Sequence, residues 1–274
     1  MIMSNRPSMS PSPPPASCLS SKKFARVVEV LINAVYDAGI APSDSVIVVI
    51  LTQTVMLRAT SKLYTFEQIE LMWQSVAYND CRRYAFFDGR RWQHPDRHFD
   101  NVDVFAEYIE RNGITDVHVK ALDGDGGREW VVDVDVHADD DDDLQAKIRV
   151  ATATFMNFFG KNATRIMHSG NRGIHVWLRI DRFPMGACKS VRENYYKVFV
   201  PPKTIEDPAS LPEGCFAAAY VEALNKDDKI SKALDKPLLY YWPAVDKHVF
   251  CNLNQIRVPY SYNFKGRKFS TLLH

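Results

Sequence analysis

The stretch that decides the fold is Glu129-Trp-Val-Val-Asp-Val-Asp-Val136. Side chains alternate between faces along an extended strand, so Val132, Val134 and Val136 share one side and Asp133 and Asp135 the other. Two carboxylates on one face repel each other. They persist on a hydrophobic strand where water, a positive side chain or a cation covers them, and paired aspartate oxygens suit hard ions such as Mg²⁺ or Mn²⁺. Alone, the pair fits an ordinary strand with one wet face better than it fits a metal site.

Upstream, Val117 to Leu122 reads as a strand, and the glycines and aspartates of Asp123 to Gly127 turn it back towards Glu129 as a hairpin. Downstream, the acids Asp139 to Asp143 repel one another and lack fixed geometry, which suits a solvated loop more than a metal site. Acids also favour a helix N-terminus, and a helix follows, with Leu144, Ile148, Ala151, Phe155 and Phe159 at helical spacing and Gly160 at its end. Next come a strand from Thr164 to His168, a turn at Ser169-Gly-Asn-Arg-Gly173 and a strand from Ile174 to Ile180. In that second strand Ile174, Val176, Leu178 and Ile180 point to the core, while His175, Trp177 and Arg179 are expected on a wet face. Ser169, Arg172 and His175 together suit a polyphosphate, and equally suit an ordinary polar hairpin.

The flanks are plainer. Residues 1–21 are rich in Ser and Pro and have little apolar surface to repay ordering, so they are expected to be a disordered tail. Phe24, Val27, Val28, Leu31 and Val35 recur as a helix, Val46 to Leu51 reads as a buried strand, and Thr65-Phe-Glu-Gln68 has capping-box spacing for a helix carrying Phe66, Ile69, Met72, Trp73 and Val76. Arg82, Arg83, Arg90 and Arg91 surround Tyr84 to Phe87, an arrangement that suits either a phosphate backbone or a solvated hairpin. Asp100 to Asn112 reads as a capped helix stopped by Gly113. Between Pro184 and Tyr240 the pattern is helical, with no catalytic signature.

The 274 residues are 46% hydrophobic, enough for a sizeable core, and the formal net charge of +1 gives no global attraction to nucleic acid. Cys18, Cys81, Cys188, Cys215 and Cys251 are far apart and include no CxxC pair, which argues against a disulfide framework and for a reducing compartment. No apolar run approaches the ~20 residues of a membrane span, so no membrane association is expected.

The last stretch carries Asp246 as its lone acid, then Lys247, Arg257, the Pro259-Tyr-Ser261 segment and Lys265-Gly-Arg267. An Asp-x-Asp strand, then Ser-Gly-x-Arg-Gly-x-His-x-Trp, then this segment, in that order and at these long intervals, closely resembles the archaeo-eukaryotic primase catalytic subunit family. The resemblance covers roughly Arg82 to the C-terminus. The small size and lack of a cysteine cluster are most similar to the compact baculoviral and nudiviral members. It implies an α/β (α+β) two-lobed core with a sheet of the RNA-recognition-motif kind, in a single catalytic domain over 22–274. The expected lobes are 22–115 and 116–274, the second with a helical insertion at 184–240.

The resemblance further implies a DNA primase making short RNA primers from nucleoside triphosphates on single-stranded DNA for viral replication. Asp133, Asp135 and Asp246 would hold two Mg²⁺ or Mn²⁺ ions, and Ser169, Arg172, His175, Arg257 and Ser261 would bind the nucleotide. Arg82, Arg83, Lys265, Arg267 and Lys268 are the weaker candidates for nucleic-acid contacts. No zinc is expected, because no cysteine lies between Cys81 and Cys188 where cellular members carry a zinc knob. Asn263 stands where those members tend to carry a histidine near the phosphates. A primase-associated second subunit is the expected partner, and a baculoviral member would work in the host nucleus, any other in a soluble intracellular compartment. The rival readings are an inactive primase-fold replication factor and a DNA-making primase-polymerase.

Overall fold

A computed structural model describes residues 63–227 and 236–274. The Ser/Pro-rich tail, the helix from Phe24 and the strand at Val46 to Leu51 lie outside the described residues. The helices are α1 (Phe66–Gln74), α2 (Val102–Arg111), α3 (Asp141–Phe159), α4 (Lys189–Tyr196), α5 (Phe216–Lys226) and α6 (Lys247–Cys251), joined by short 3₁₀ turns. The strands are β1 (Tyr84–Phe87), β2 (Trp92–Gln93), β3 (Asp116–Val119), β4 (Val131–Asp135), β5 (Ala163–His168), β6 (Gly173–Leu178), β7 (Ile256–Arg257), β8 (Tyr262–Asn263), β9 (Lys268–Phe269) and β10 (Thr271–Leu272). The class is α+β.

The first sheet runs β2-β1-β3-β7, with antiparallel neighbours. Helix α1 opens on the expected capping box: Gln68 N–H donates to the Thr65 hydroxyl, and Thr65 N–H donates to the Gln68 side chain. It buries Ile69, Met72 and Trp73 but leaves Phe66 43% exposed, so Phe66 is not on the apolar face. Helix α2 is capped by Asn101 rather than Asp100. Both helices pack with Tyr84, Phe86, Val117, Val119 and Ile256, the residues on one face of this sheet.

The second sheet runs β10-β5-β6-β4. Strand β6 is antiparallel to both β4 and β5, so β4 and β5 are parallel, joined by α3 with β6 inserted between them. This is the split βαβ arrangement. Beyond β4, the place of a fifth strand is reduced to a single bridge, Val134 to Val245. Val132, Val134, Ile174, Val176 and Leu178 pack with Ile148, Ala151, Phe155 and Phe159 of α3. Asp140 caps α3 by accepting from Asp143 N–H, and Asp141 to Asp143 occupy the first turn, where the helix dipole favours acids.

Two expectations need correction. The opposite face of β6 is not wet: Val131, Met167 and Trp177 join the first core, His175 is buried, and Ile180 is exposed beyond the strand's end. Alternation separates two faces but does not reveal that a second layer covers the other one. Nor do β3 and β4 form a hairpin; they belong to different sheets, and the 123–127 turn closes on one bridge, Leu122 to Gly127. In the 184–240 segment, α5 lies along α3, where Ala146 and Val150 meet Tyr220 and Leu224.

Candidate active site

The β4–β6 register sets Asp133 opposite His175 and Asp135 opposite Gly173. A Cβ at Gly173 would lie 2.0 Å from the Val134 carbonyl oxygen, so only glycine lets the strands close beside Asp135. Asp246 arrives from far along the chain. After the Val245 bridge its N–H donates to the Asp133 carbonyl at 2.8 Å, and its side chain accepts from Val249 N–H at 2.9 Å to cap α6. Three acids thus share one corner of the second sheet. Burial pushes the Asp133 carboxyl up to about 7, and the charges of Asp135 and Asp246 add to the effect.

His175 does not relieve that repulsion. Its Nε2 lies 3.4 Å from Asp133 Oδ1. Burial, with the positive charges of Arg257, Arg128 and His168, holds the imidazole down at about 3. The contact therefore joins a neutral ring to an acid and is not an ion pair.

Next to the acids is the 169–173 turn. His168 Nδ1 accepts from Gly170 N–H at 3.0 Å, and Ser169 N–H donates to the Gly173 carbonyl at 2.9 Å. The β8–β9 hairpin caps this turn. A Cβ on Gly266 would fall 1.9 Å from the Gly170 carbonyl oxygen, so the two turns touch backbone to backbone. Asn263 links them: its amide donates to the Ser169 carbonyl at 3.1 Å, and its Oδ1 accepts from Gly266 N–H at 3.1 Å. Arg172, Lys265, Arg267 and Lys268 remain exposed on the joined turns, and Ser169 is largely buried between them.

Other expected residues have different surroundings. Arg257 Nη1 donates to Asp116 Oδ1 at 2.6 Å and to the Tyr262 carbonyl at 2.5 Å, tying β7 to β3 and the hairpin. Ser261 is wholly buried; its hydroxyl accepts from Val117 N–H at 2.8 Å, which takes it out of the nucleotide-binding set. Arg82 is also wholly buried, bound to both Glu129 oxygens at 3.0 and 3.1 Å and to the Lys120 carbonyl, so it cannot contact nucleic acid. A polar residue between apolar strands looks exposed in sequence unless its distant partner is known. Arg83 is partly exposed but pairs with Asp96 and Asp123.

Two further polar residues, Asp116 and His118, lie beside Arg257. They alternate on one face of β3, the same signal that singles out Asp133 and Asp135. His118 is paired in register with Arg257, and both its ring nitrogens are buried without a hydrogen-bond partner. Such atoms are rare in folded proteins and mark a place where a ligand can contribute.

Among the described residues, no group of three or more His, Cys, Asp or Glu side chains is already arranged to hold a metal ion. The donor chemistry nevertheless fits Mg²⁺ or Mn²⁺, because Asp133, Asp135 and Asp246 supply hard oxygens whose mutual repulsion a divalent cation would neutralise.

Acids, a neutral imidazole and cationic turns are gathered on an α+β scaffold, and comparison with known proteins supplies the family. No family model matches the chain. It is 44% identical over 214 residues to a DNA primase of Autographa californica nuclear polyhedrosis virus, covering 76% of this chain and 80% of the relative. It is 45% identical over 217 residues to late expression factor 1 of Orgyia pseudotsugata multicapsid polyhedrosis virus, covering 77% of this chain and 88% of that one. The chain belongs to this baculoviral DNA primase family.

Proposed function

We infer that the protein is a primase catalytic subunit that joins ribonucleoside triphosphates into short RNA primers on single-stranded DNA during viral replication. The observation that carries this reading is the convergence of Asp133, Asp135 and Asp246 with their repulsion unrelieved by His175. Such a cluster costs stability and suits catalysis. Two Mg²⁺ or Mn²⁺ ions on these acids would supply activation of a primer 3′-hydroxyl and stabilise charge on the phosphates.

The remaining residues position the substrate, the main contribution a protein makes to phosphoryl transfer. Arg172 and the 169–173 turn face the triphosphate, with neutral His175 as a hydrogen-bonding group beside it. Asp116 holds Arg257 at the edge of this site. Lys265, Arg267 and Lys268 follow the nucleic-acid backbone. Asn263 positions the turn, its amide joining the Ser169 carbonyl to Gly266 N–H.

A primase-associated subunit completes the enzyme, and the host nucleus is its place of action. Among the described residues, no helix is long and apolar enough to cross a membrane.

The test is primer synthesis on single-stranded template with Mg²⁺ or Mn²⁺, comparing the parent with a folded Asp133→Ala, Asp135→Ala double variant. Loss of synthesis is expected, and equal rates would remove the acids from the chemistry. Ribonucleotide and deoxyribonucleotide arms of the same assay separate RNA priming from DNA synthesis.

A further inference from the structure

The 123–127 turn, the loop before α4 and the end of α6 enclose a cavity of about 340 Å³, lined in part by Gly127, Gly186, Cys188, Lys189 and Arg192. None of Asp133, Asp135 and Asp246 is among the residues that line it. Among the described residues lining it, Asp125 is the one acid.

Arg192 is wholly buried. Its Nη2 donates to the carbonyls of Arg128 at 2.7 Å and Met185 at 3.0 Å, and its guanidinium lies 4.7 Å from the centre of the Trp130 ring. Its Nη1 has no partner. Arg82 and Arg128 are wholly buried as well, and Glu129 is the carboxylate close to all three. Asp133 also acts on Arg128, whereas the buried Nη1 of Arg192 keeps an unused donor in a region of low dielectric, which is costly unless an acceptor comes near.

The cavity wall adds to the attraction. Helix α4 begins at Cys188 with no side-chain cap and no acid in its first turn, and Lys189 is its first residue. The helix dipole at such an end favours an anion. Gly127 (φ +74°) abuts the Met185 carbonyl, which a Cβ would approach to 2.0 Å, so backbone rather than side chains meets there.

We propose that this cavity binds a phosphate group, held by Lys189, Arg192 and the first-turn N–H groups of α4. The group comes either from a free nucleotide or from the backbone of a bound strand. The site is separate from the three acids, and its test does not depend on catalysis.

Cys188 is an exposed thiol in the cavity wall, so occupancy must slow its alkylation. Cys81, exposed and not among the lining residues, is the internal reference. The full chain is treated with iodoacetamide in chloride, then in inorganic phosphate at equal ionic strength, and both cysteines are followed by peptide mass spectrometry. With phosphate at about ten times its dissociation constant, Cys188 should react about tenfold more slowly while Cys81 is unchanged. Lys189→Glu, an exposed substitution, should abolish the protection without altering the circular dichroism spectrum.

Further arms use ATP without metal and a single-stranded oligonucleotide. Protection by ATP alone assigns the group to a free nucleotide, and protection by the oligonucleotide alone assigns it to a strand. Equal Cys188 rates in phosphate and chloride, or undiminished protection in Lys189→Glu, would overturn the proposal.

Discussion

Replacing Glu129 with alanine is the most searching test of how the second sheet is held. Glu129 is 4% exposed, and both its oxygens accept from Arg82 Nη1, at 3.0 and 3.1 Å. It also accepts from Ala77 N–H at 3.2 Å. Removing one partner of a buried ion pair costs about 3–5 kcal/mol, because the other charge stays behind without compensation. Here Arg128 and Arg192 lose their common counter-charge in the same step. A loss of about 4 kcal/mol is a large part of the 5–15 kcal/mol by which domains of this kind are typically stable. Urea unfolding, followed through the buried indoles of Trp130 and Trp177, measures it directly. Glu129→Gln keeps the shape and one acceptor and should cost less than the alanine variant. A Glu129→Ala midpoint corresponding to less than about 1 kcal/mol, the scale of an exposed pair, would refute the claim that this acid balances the buried guanidiniums.

Other outcomes follow from single contacts. Gly173→Ala forces a Cβ against the Val134 carbonyl and should cost about 1–3 kcal/mol with loss of primer synthesis, checked by thermal denaturation and activity together. Asn263→Ala leaves the Ser169 carbonyl and Gly266 N–H unpaired and should cost about 1–3 kcal/mol. Its nucleotide affinity should fall as well, as read by a titration. Asp133→Asn removes one of three repelling acids, so the metal-free variant should melt at a higher temperature than the parent while making no primers.

Local pattern made a good deal of this legible in the sequence. The Thr65 capping box, the acid-rich start of α3 and the alternation of Val131 to Asp135 depend on neighbours within a few residues, and sequence exposes such neighbours. Long-range pairing was not legible. Nothing beside Arg82 announces that Glu129 will bury it, and nothing beside Ser261 announces that Val117 N–H will take its hydroxyl. The same limit hid the cover over His175 and Trp177, because alternation separates two faces without saying what packs on them. His118 and Asp116 escaped for a different reason: the rule that found Asp133 and Asp135 applies equally to them, but a lone histidine and a lone acid on a short strand read as ordinary. Resemblance to primases identified Asp246, and the Val134–Val245 bridge is the physical link that carries it to Asp133.

The central claim is that Asp133, Asp135 and Asp246 act together as the metal-binding acids of a primase. Electron paramagnetic resonance of Mn²⁺, titrated into the protein with a non-hydrolysable nucleoside triphosphate, tests it most directly. The parent should bind two ions, and Asp133→Ala, Asp135→Ala should bind none beyond what the nucleotide takes up by itself. Unchanged Mn²⁺ binding in the folded double variant would contradict it.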